Sequence, residues 1–434
     1  MRRRARVVAL AAVSAVALAG CGSDGSDETS GDSAELASGR IEIWYSTNEQ
    51  EIAWGDQVVE AWNAEHPDEQ VTAQPIPAGS SSEDVIAASI TAGNAPCLVF
   101  NTAPAAVPMF QRQGGLVNLS TTFDDAEDYI TTRSGTAADG FRSADGDLYQ
   151  LPWKTNPFML YYNKAVFAAA GLDPENPQLA TYDDVLAAAQ AIKDSGAADV
   201  VIYPPATADY TNVNFDFYPF FLANSDGTQL IEDGQATVAG EEALQTLEFW
   251  QTLYAEGYSS AEAYSGDMWA GPFADGVAAM GVAGPWGKGQ FDGKVEYGVV
   301  PLPTADGKAA DETSTFADSK NVSLFTACEN QQTAWEFLKF ATSDANDLAL
   351  LEITGQFPTR TDVPELAADF LAENAFFQPF AASVPLAVDV PTVDGLAEKM
   401  QVFRDAWTGA VQSGNGDLAG TFDEAAATID GISG

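Results

Sequence analysis

Ile41-Glu42-Ile43-Trp44-Tyr45, followed by Asn48, Glu51, Trp54, Val58 and Trp62, is the stretch whose reading decides the fold. The first five residues are rich in branched and aromatic side chains and form a short β-type run. Asn48 and Glu51 then have capping-box spacing, and the next three recur at i, i+4 and i+8 as on one face of a helix. The unit repeats. Val71 to Ile76 is extended and ends at Pro75 and Pro77, Ser80 and Glu83 cap a helix that stops at Gly93, and Leu98-Val99-Phe100 is a third strand. Three β-α units in succession predict a mostly parallel sheet with helices on both faces.

Further along, Leu148 to Pro152, Leu160 to Tyr162, Val200 to Ile202, Tyr297 to Val300 and Val322 to Phe325 read as strands. Helices fall between them: one begins at Thr181 and Asp184, one carries Leu244, Leu247, Trp250 and Tyr254, and one carries Ala334, Trp335, Leu338 and Ala341. Met400, Phe403, Trp407 and Ala410 mark a last one. No fixed-period repeat is present, which argues against a solenoid or propeller. Two α/β lobes suit the length and the alternation.

Upstream, Arg2, Arg3, Arg4 and Arg6 precede an apolar run from Val7 to Leu18, and Leu18-Ala19-Gly20-Cys21 follows. A charged region, a short apolar run and small residues make a secretory signal over 1–20. The run is too short for a comfortable membrane span. Leu-Ala-Gly-Cys is similar to the bacterial lipobox, which implies lipidation of Cys21. The segment 21–39, rich in Gly, Ser, Asp and Glu, reads as a flexible tether behind that anchor.

The formal charge is −44. Loss of the four signal arginines takes it to about −48, a surface that repels nucleic acid and anionic lipid. The lipid anchor is therefore the expected membrane contact, and a monomer the expected state. Apart from Cys21, Cys97 and Cys328 remain, and in an oxidising compartment they form either one disulfide or two separately buried thiols.

One histidine, His66, lies just past a helix end before Pro67. A Ser-His-Asp triad or a histidine metal site has no partners to draw on, and no cofactor or metal is expected. Tyr161-Tyr162 is similar to the paired tyrosines of ferric-ion-binding proteins, but strand neighbours point to opposite faces. A glycosidase needs two placed carboxyls, and among 63 acidic residues no spacing singles out a pair. Aromatics in loop-like contexts are the positive signal: Trp153 beside Pro152, Trp269 near Gly271-Pro272, and Trp286 within Gly284-Pro285-Trp286-Gly287. Such rings either stack on the apolar faces of sugars or pack in cores.

Ser89-Ile90-Thr91-Ala92-Gly93-Asn94-Ala95-Pro96 resembles a turn of the extracellular solute-binding proteins that serve oligosaccharide importers, with Cys97 where an aspartate is usual. Asp145-Gly146-Asp147-Leu148-Tyr149-Gln150-Leu151-Pro152, followed by Leu160-Tyr161-Tyr162-Asn163-Lys164, resembles the family's first crossing between lobes. Ala170-Gly171-Leu172, Thr181-Tyr182-Asp183-Asp184, Gly276 to Met280 with Gly284-Pro285-Trp286, Tyr297 to Pro303 and Ala334 to Phe340 complete the ordered series.

The resemblance implies a periplasmic-binding-protein fold: two α/β lobes, a three-crossing hinge near Lys154–Phe158, Ser319–Val322 and Phe357–Arg360, and a ligand cleft between the lobes. The N-terminal lobe would comprise 40–154 plus 322–357, and the C-terminal lobe 155–321 plus 358–434. Cys97 and Cys328 then share the first lobe, which favours the disulfide. The expected ligand set is Thr47, Asn48, Glu49, Ser80, Ser81, Asn101 and Thr102 from the first lobe, with Trp153 and Asn156 at the crossing. Asn214, Phe215, Asp216 and Trp286 come from the second lobe, and Asp318 from beside the second crossing. Gln401 stands where a further stacking aromatic would be expected. The resemblance implies non-enzymatic capture of a sugar or oligosaccharide by hinge closure and delivery to the membrane permease of an ABC importer. Polyamine binding and an anchored glycosidase are the alternatives.

Overall fold

The computed structural model describes residues 36–432 except 80, 207–209, 233 and 415. The signal segment, Cys21, most of the tether and Ser80 lie outside the described residues.

The opening stretch folds as its pattern dictates. β1 (Ile41–Tyr45) leads into α1 (Glu49–Glu65), whose N-cap Asn48 accepts hydrogen bonds from the backbone N–H groups of Gln50 and Glu51. Trp54, Val58 and Trp62 are all 3% exposed or less, each contributing about 1.5–3 kcal/mol by burial. The expected capping box does not close, because Glu51 turns its carboxylate to Lys154 instead. His66 caps the helix end, its ring stacked on Trp62 at 3.6 Å.

β2 (Val71–Pro75), α2 (Ser82–Ala92), β3 (Leu98–Thr102) and α3 (Val107–Arg112) follow. The cap of α2 is Ser81, one residue beyond the expected position: its hydroxyl accepts from the Asp84 N–H at 3.1 Å. Gly93 ends α2 at φ 69°, a left-handed conformation that suits glycine.

These strands belong to a six-stranded sheet in the order 357–358, β4 (Leu151–Thr155), 320–324, β3, β1, β2. β1 is parallel to β2 and β3, as the β-α repeats predict. The expectation of a mostly parallel sheet fails beyond that point. Lys320–Leu324 runs antiparallel to both β3 and β4, and Phe357–Pro358 antiparallel to β4. The physical reason is that Lys320–Leu324 enters from the other half of the molecule and runs against β3 and β4, and Phe357–Pro358, reached from it through the 331–341 and 344–354 helices, keeps its direction. A second sheet has four strands, in the order 297–300, β5 (Met159–Asn163), 278–283, β6 (Val200–Ile202). There β6 and Ala278–Ala283 are parallel, while β5 is antiparallel to its neighbours.

Each sheet has its own core. Trp44, Ile86, Val99, Val107, Phe110 and Phe325 fill one side of the first. The second sheet packs Leu160, Tyr162, Ile202 and Met280 against the helices of residues 182–195, 217–224, 241–255 and 396–406. The chain passes between the sheets three times: from β4 to β5, through Phe316 to Lys320, and beyond Pro358. Cys97 and Cys328 are bonded, with Cα atoms 4.5 Å apart, tying the start of β3 to the turn after Lys320–Leu324.

Candidate functional site

The carboxyl ends of β1 and β3 and the start of Lys320–Leu324 share one edge of the first sheet. The register places Thr102 opposite Asn321, Asn321 opposite Pro152, and Lys154 opposite Lys320. In the second sheet, parallel pairing sets Ile202, the last residue of β6, opposite Met280, so Tyr203 comes level with Gly281 in the strand that leads to the Gly284-Pro285-Trp286 turn. The three crossings join these two edges, so the cleft is the space between them, the place where open α/β sheets bind ligands.

Two features of the first edge stand out chemically. Asn101 has φ 71° and Asp318 φ 40°, left-handed conformations that cost energy outside glycine and concentrate at functional sites. Several buried polar atoms also have no hydrogen-bond partner among the described residues: Glu51 Oε2, Thr102 Oγ1, Trp153 Nε1, Asn156 Oδ1 and Asn321 Oδ1 along the first edge and crossing, and Asn214 Oδ1 from the second lobe. Each unsatisfied group costs about 1–3 kcal/mol, which a polar ligand would recover.

Lysines neutralise the carboxylates here. Lys154 on β4 donates to Glu51 at 2.5 Å, and Gln356 donates to the same oxygen at 2.8 Å. Burial pulls the Lys154 ammonium below its ordinary range, and Glu51 holds it back. Lys320 pairs with Asp318; burial works most strongly against its charge, yet Asp318 with Glu83 and Asp389 together raise its pKa. Asn156 is 1% exposed and donates to the Asp318 carbonyl at 3.2 Å, so its amide fixes the second crossing against the first.

The second edge is aromatic. Phe158, in the first crossing, lies 5.5 Å from Phe215 and 6.3 Å from Trp286, ring centre to ring centre. Phe215 lies 4.3 Å from Trp269.

The structure thus gathers Asn101, Thr102, Asn156, Asn214, Phe215, Trp286 and Asp318 around the cleft edges. Thr47 and Glu49 are exposed beside the start of α1, Asn48 caps it, and Ser81 caps α2. Two expected residues sit elsewhere. Trp153 is fully buried between Trp54 and Phe100 at 5.3 and 5.2 Å, so its ring faces belong to the first core. Asp216 is fully buried, caps the 217–224 helix and pairs with Arg404. An inward carboxylate needs such a partner. Tyr161 and Tyr162 face opposite sides and donate to the Gly284 and Pro174 carbonyls, which leaves no paired-tyrosine ion site. Gln401 donates to Asp405 at 2.9 Å. Among the described residues, no cluster of His, Cys, Asp or Glu suits a metal ion.

Glu51, Lys154, Lys320 and Gln356 are site-edge residues that the sequence reading missed. The capping-box spacing of Glu51 was the available signal, and it pointed to a local role.

Two α/β lobes, three crossings and a polar-aromatic cleft define a class of extracytoplasmic binding proteins. Residues 46–347 match the bacterial extracellular solute-binding protein family, and the chain belongs to it. The maltodextrin-binding protein MdxE of Bacillus subtilis (strain 168) is 25% identical over 279 residues, 62% of this chain and 61% of that one. The cyclic α-maltosyl-1,6-maltose binding protein of Arthrobacter globiformis superposes with a TM-score of 0.74 at 21% identity, covering 91% of this chain and 99% of the other. The GacH receptor of Streptomyces glaucescens GLA.O gives 0.73 at 24% identity, covering 92% and 97%. These two likenesses establish the fold. No helix among the described residues is long and apolar enough to cross a membrane.

Proposed function

We propose that this chain is the lipid-anchored sugar-binding component of an ABC importer, capturing a sugar or oligosaccharide by hinge closure and presenting it to the permease. One observation carries the reading: unpartnered buried amide and hydroxyl atoms on Thr102 and Asn156 of the first edge and crossing, and on Asn214 of the second lobe, accompany the half-buried aromatics Phe215 and Trp286. Sugars carry hydroxyls on their rims and C–H groups on their faces, and such a cleft matches both. The named sugar ligands of the similar proteins support the same class.

In this reading the lobes comprise 40–154 with 322–357, and 155–321 with 358–434. Ligand contacts from both favour the closed form, and no bond is made or broken. Cys21, behind Leu18-Ala19-Gly20, anchors a monomer to the outer face of the membrane. A polyamine fits less well, because Glu51 and Asp318 are already paired with Lys154 and Lys320. The same pairing leaves neither carboxylate placed as a glycosidase acid or nucleophile.

The test is calorimetric titration of the chain lacking residues 1–20 with maltotriose, trehalose and spermidine, with chromatography of the recovered sugar. Binding of a sugar that is recovered intact supports the proposal. Binding of spermidine alone, or cleavage of the sugar, refutes it.

A further inference from the structure

Trp269 is the one exposed large hydrophobic residue among the described residues, 41% accessible. An isolated exposed tryptophan needs no explanation, but this one is neither isolated nor loosely held. Its ring sits 4.3 Å from Phe215, tilted by 48°. Phe215 in turn contacts Phe158, which contacts Trp286. The four rings form a continuous series, Trp286–Phe158–Phe215–Trp269, in which Phe158 is buried and Trp269 is the exposed end.

Beside Trp269, a small recess is lined by Tyr203, Pro204, Pro205, Phe215 and Pro272. These rigid groups change shape little on contact, which keeps the ordering cost of binding low. The Trp269 loop is itself fixed: Asp267 accepts from the Trp269 N–H at 2.9 Å, and the Asp267 carbonyl accepts from the Gly271 N–H at 2.8 Å. A ring set this firmly, with two-fifths of its surface open, resembles a stacking platform more than a packing residue.

We infer that Trp269 forms an outer subsite that takes an additional sugar ring, so that the ligand is an oligosaccharide of at least two units. The inference rests on the sugar-binding reading above and deepens it. The inner ring of the ligand lies by Trp286, and the outer ring covers Trp269. A monosaccharide reaches the inner position only.

The experiment is calorimetric titration of wild type, Trp269→Ala and Trp269→Phe with glucose, maltose and maltotriose. The expected result is that Trp269→Ala weakens maltose and maltotriose by about three- to tenfold. Glucose binding is unchanged or equally weak in all three proteins, and Trp269→Phe recovers part of the loss. Wild-type binding of maltose and maltotriose with no loss in Trp269→Ala overturns the subsite while leaving the sugar reading intact. An equal loss for glucose also overturns it, since a general packing defect would do that. Failure of wild type to bind any of the three contradicts the sugar reading, and the subsite with it.

Discussion

Arg112 at the end of α3 pairs with Asp394, in the loop that leads into the 396–406 helix of the second lobe. The pair spans the cleft. Among the described residues the covalent links between the lobes are the three crossings, so a hinge rotation that opens the cleft separates these two charges. A second contact of the same kind lies at Gly289, where an added Cβ would stand 2.2 Å from the Gln50 side chain. A contact present only in the closed form shifts the equilibrium toward it by its own interaction energy.

Arg112→Asp should therefore weaken ligand affinity and favour the open form. Both partners are about 60% exposed, so the effect is small, about two- to fivefold in Kd. The exchanged double variant Arg112→Asp with Asp394→Arg should restore wild-type affinity. Calorimetry at low and high salt checks this, with the wild-type advantage shrinking as salt rises.

Lys154 ties α1 to a hinge strand through Glu51, with both side chains at most 5% exposed. Lys154→Ala should destabilise the protein by about 3–5 kcal/mol, because it leaves a carboxylate buried without its cation. Denaturant unfolding measures this. Lys154→Met combined with Glu51→Met should be far less damaging than Lys154→Ala.

Glu127 gives a pH-dependent term. Arg142 donates to it at 2.8 and 3.0 Å, and with Ser120 holds its carboxyl below the usual range. A depressed folded pKa contributes stability that is present above the unfolded value, about 4.3, and is lost as pH falls through the folded one. Glu127→Gln should melt below wild type at pH 7, with the difference closing as pH drops below about 4. Thermal unfolding across that range checks the sign.

The Cys97–Cys328 bond closes a loop of 231 positions. Replacing both cysteines with serine should cost about 2–5 kcal/mol. Reduction of the wild type under native conditions should approach the same unfolding midpoint.

The local rules were readable in the chain. The Asn48 cap, the Trp54–Val58–Trp62 face and the helix start at Thr181 and Asp184 all form where the sequence places them, the last closing as a capping box. What failed depended on distant partners. Glu51 has the spacing of a cap, yet Lys154, 103 positions away, takes its carboxylate. Trp153 and Asp216 have suitable chemistry, but Trp54 with Phe100 covers one and Arg404 pairs with the other. Trp269 and Trp153 look alike as loop tryptophans beside proline or glycine. Only tertiary packing decides that the first is open and the second buried. The antiparallel pairing of Lys320–Leu324 was hidden for the same reason, since its neighbours come from β3 and β4.

Ligand-driven closure of the two lobes on a sugar is tested most directly by small-angle X-ray scattering of the chain lacking residues 1–20, with and without saturating maltotriose. The account predicts a smaller radius of gyration with the sugar, and no change in a Trp286→Ala variant. Unchanged scattering in a wild-type sample that calorimetry shows to be saturated would contradict it.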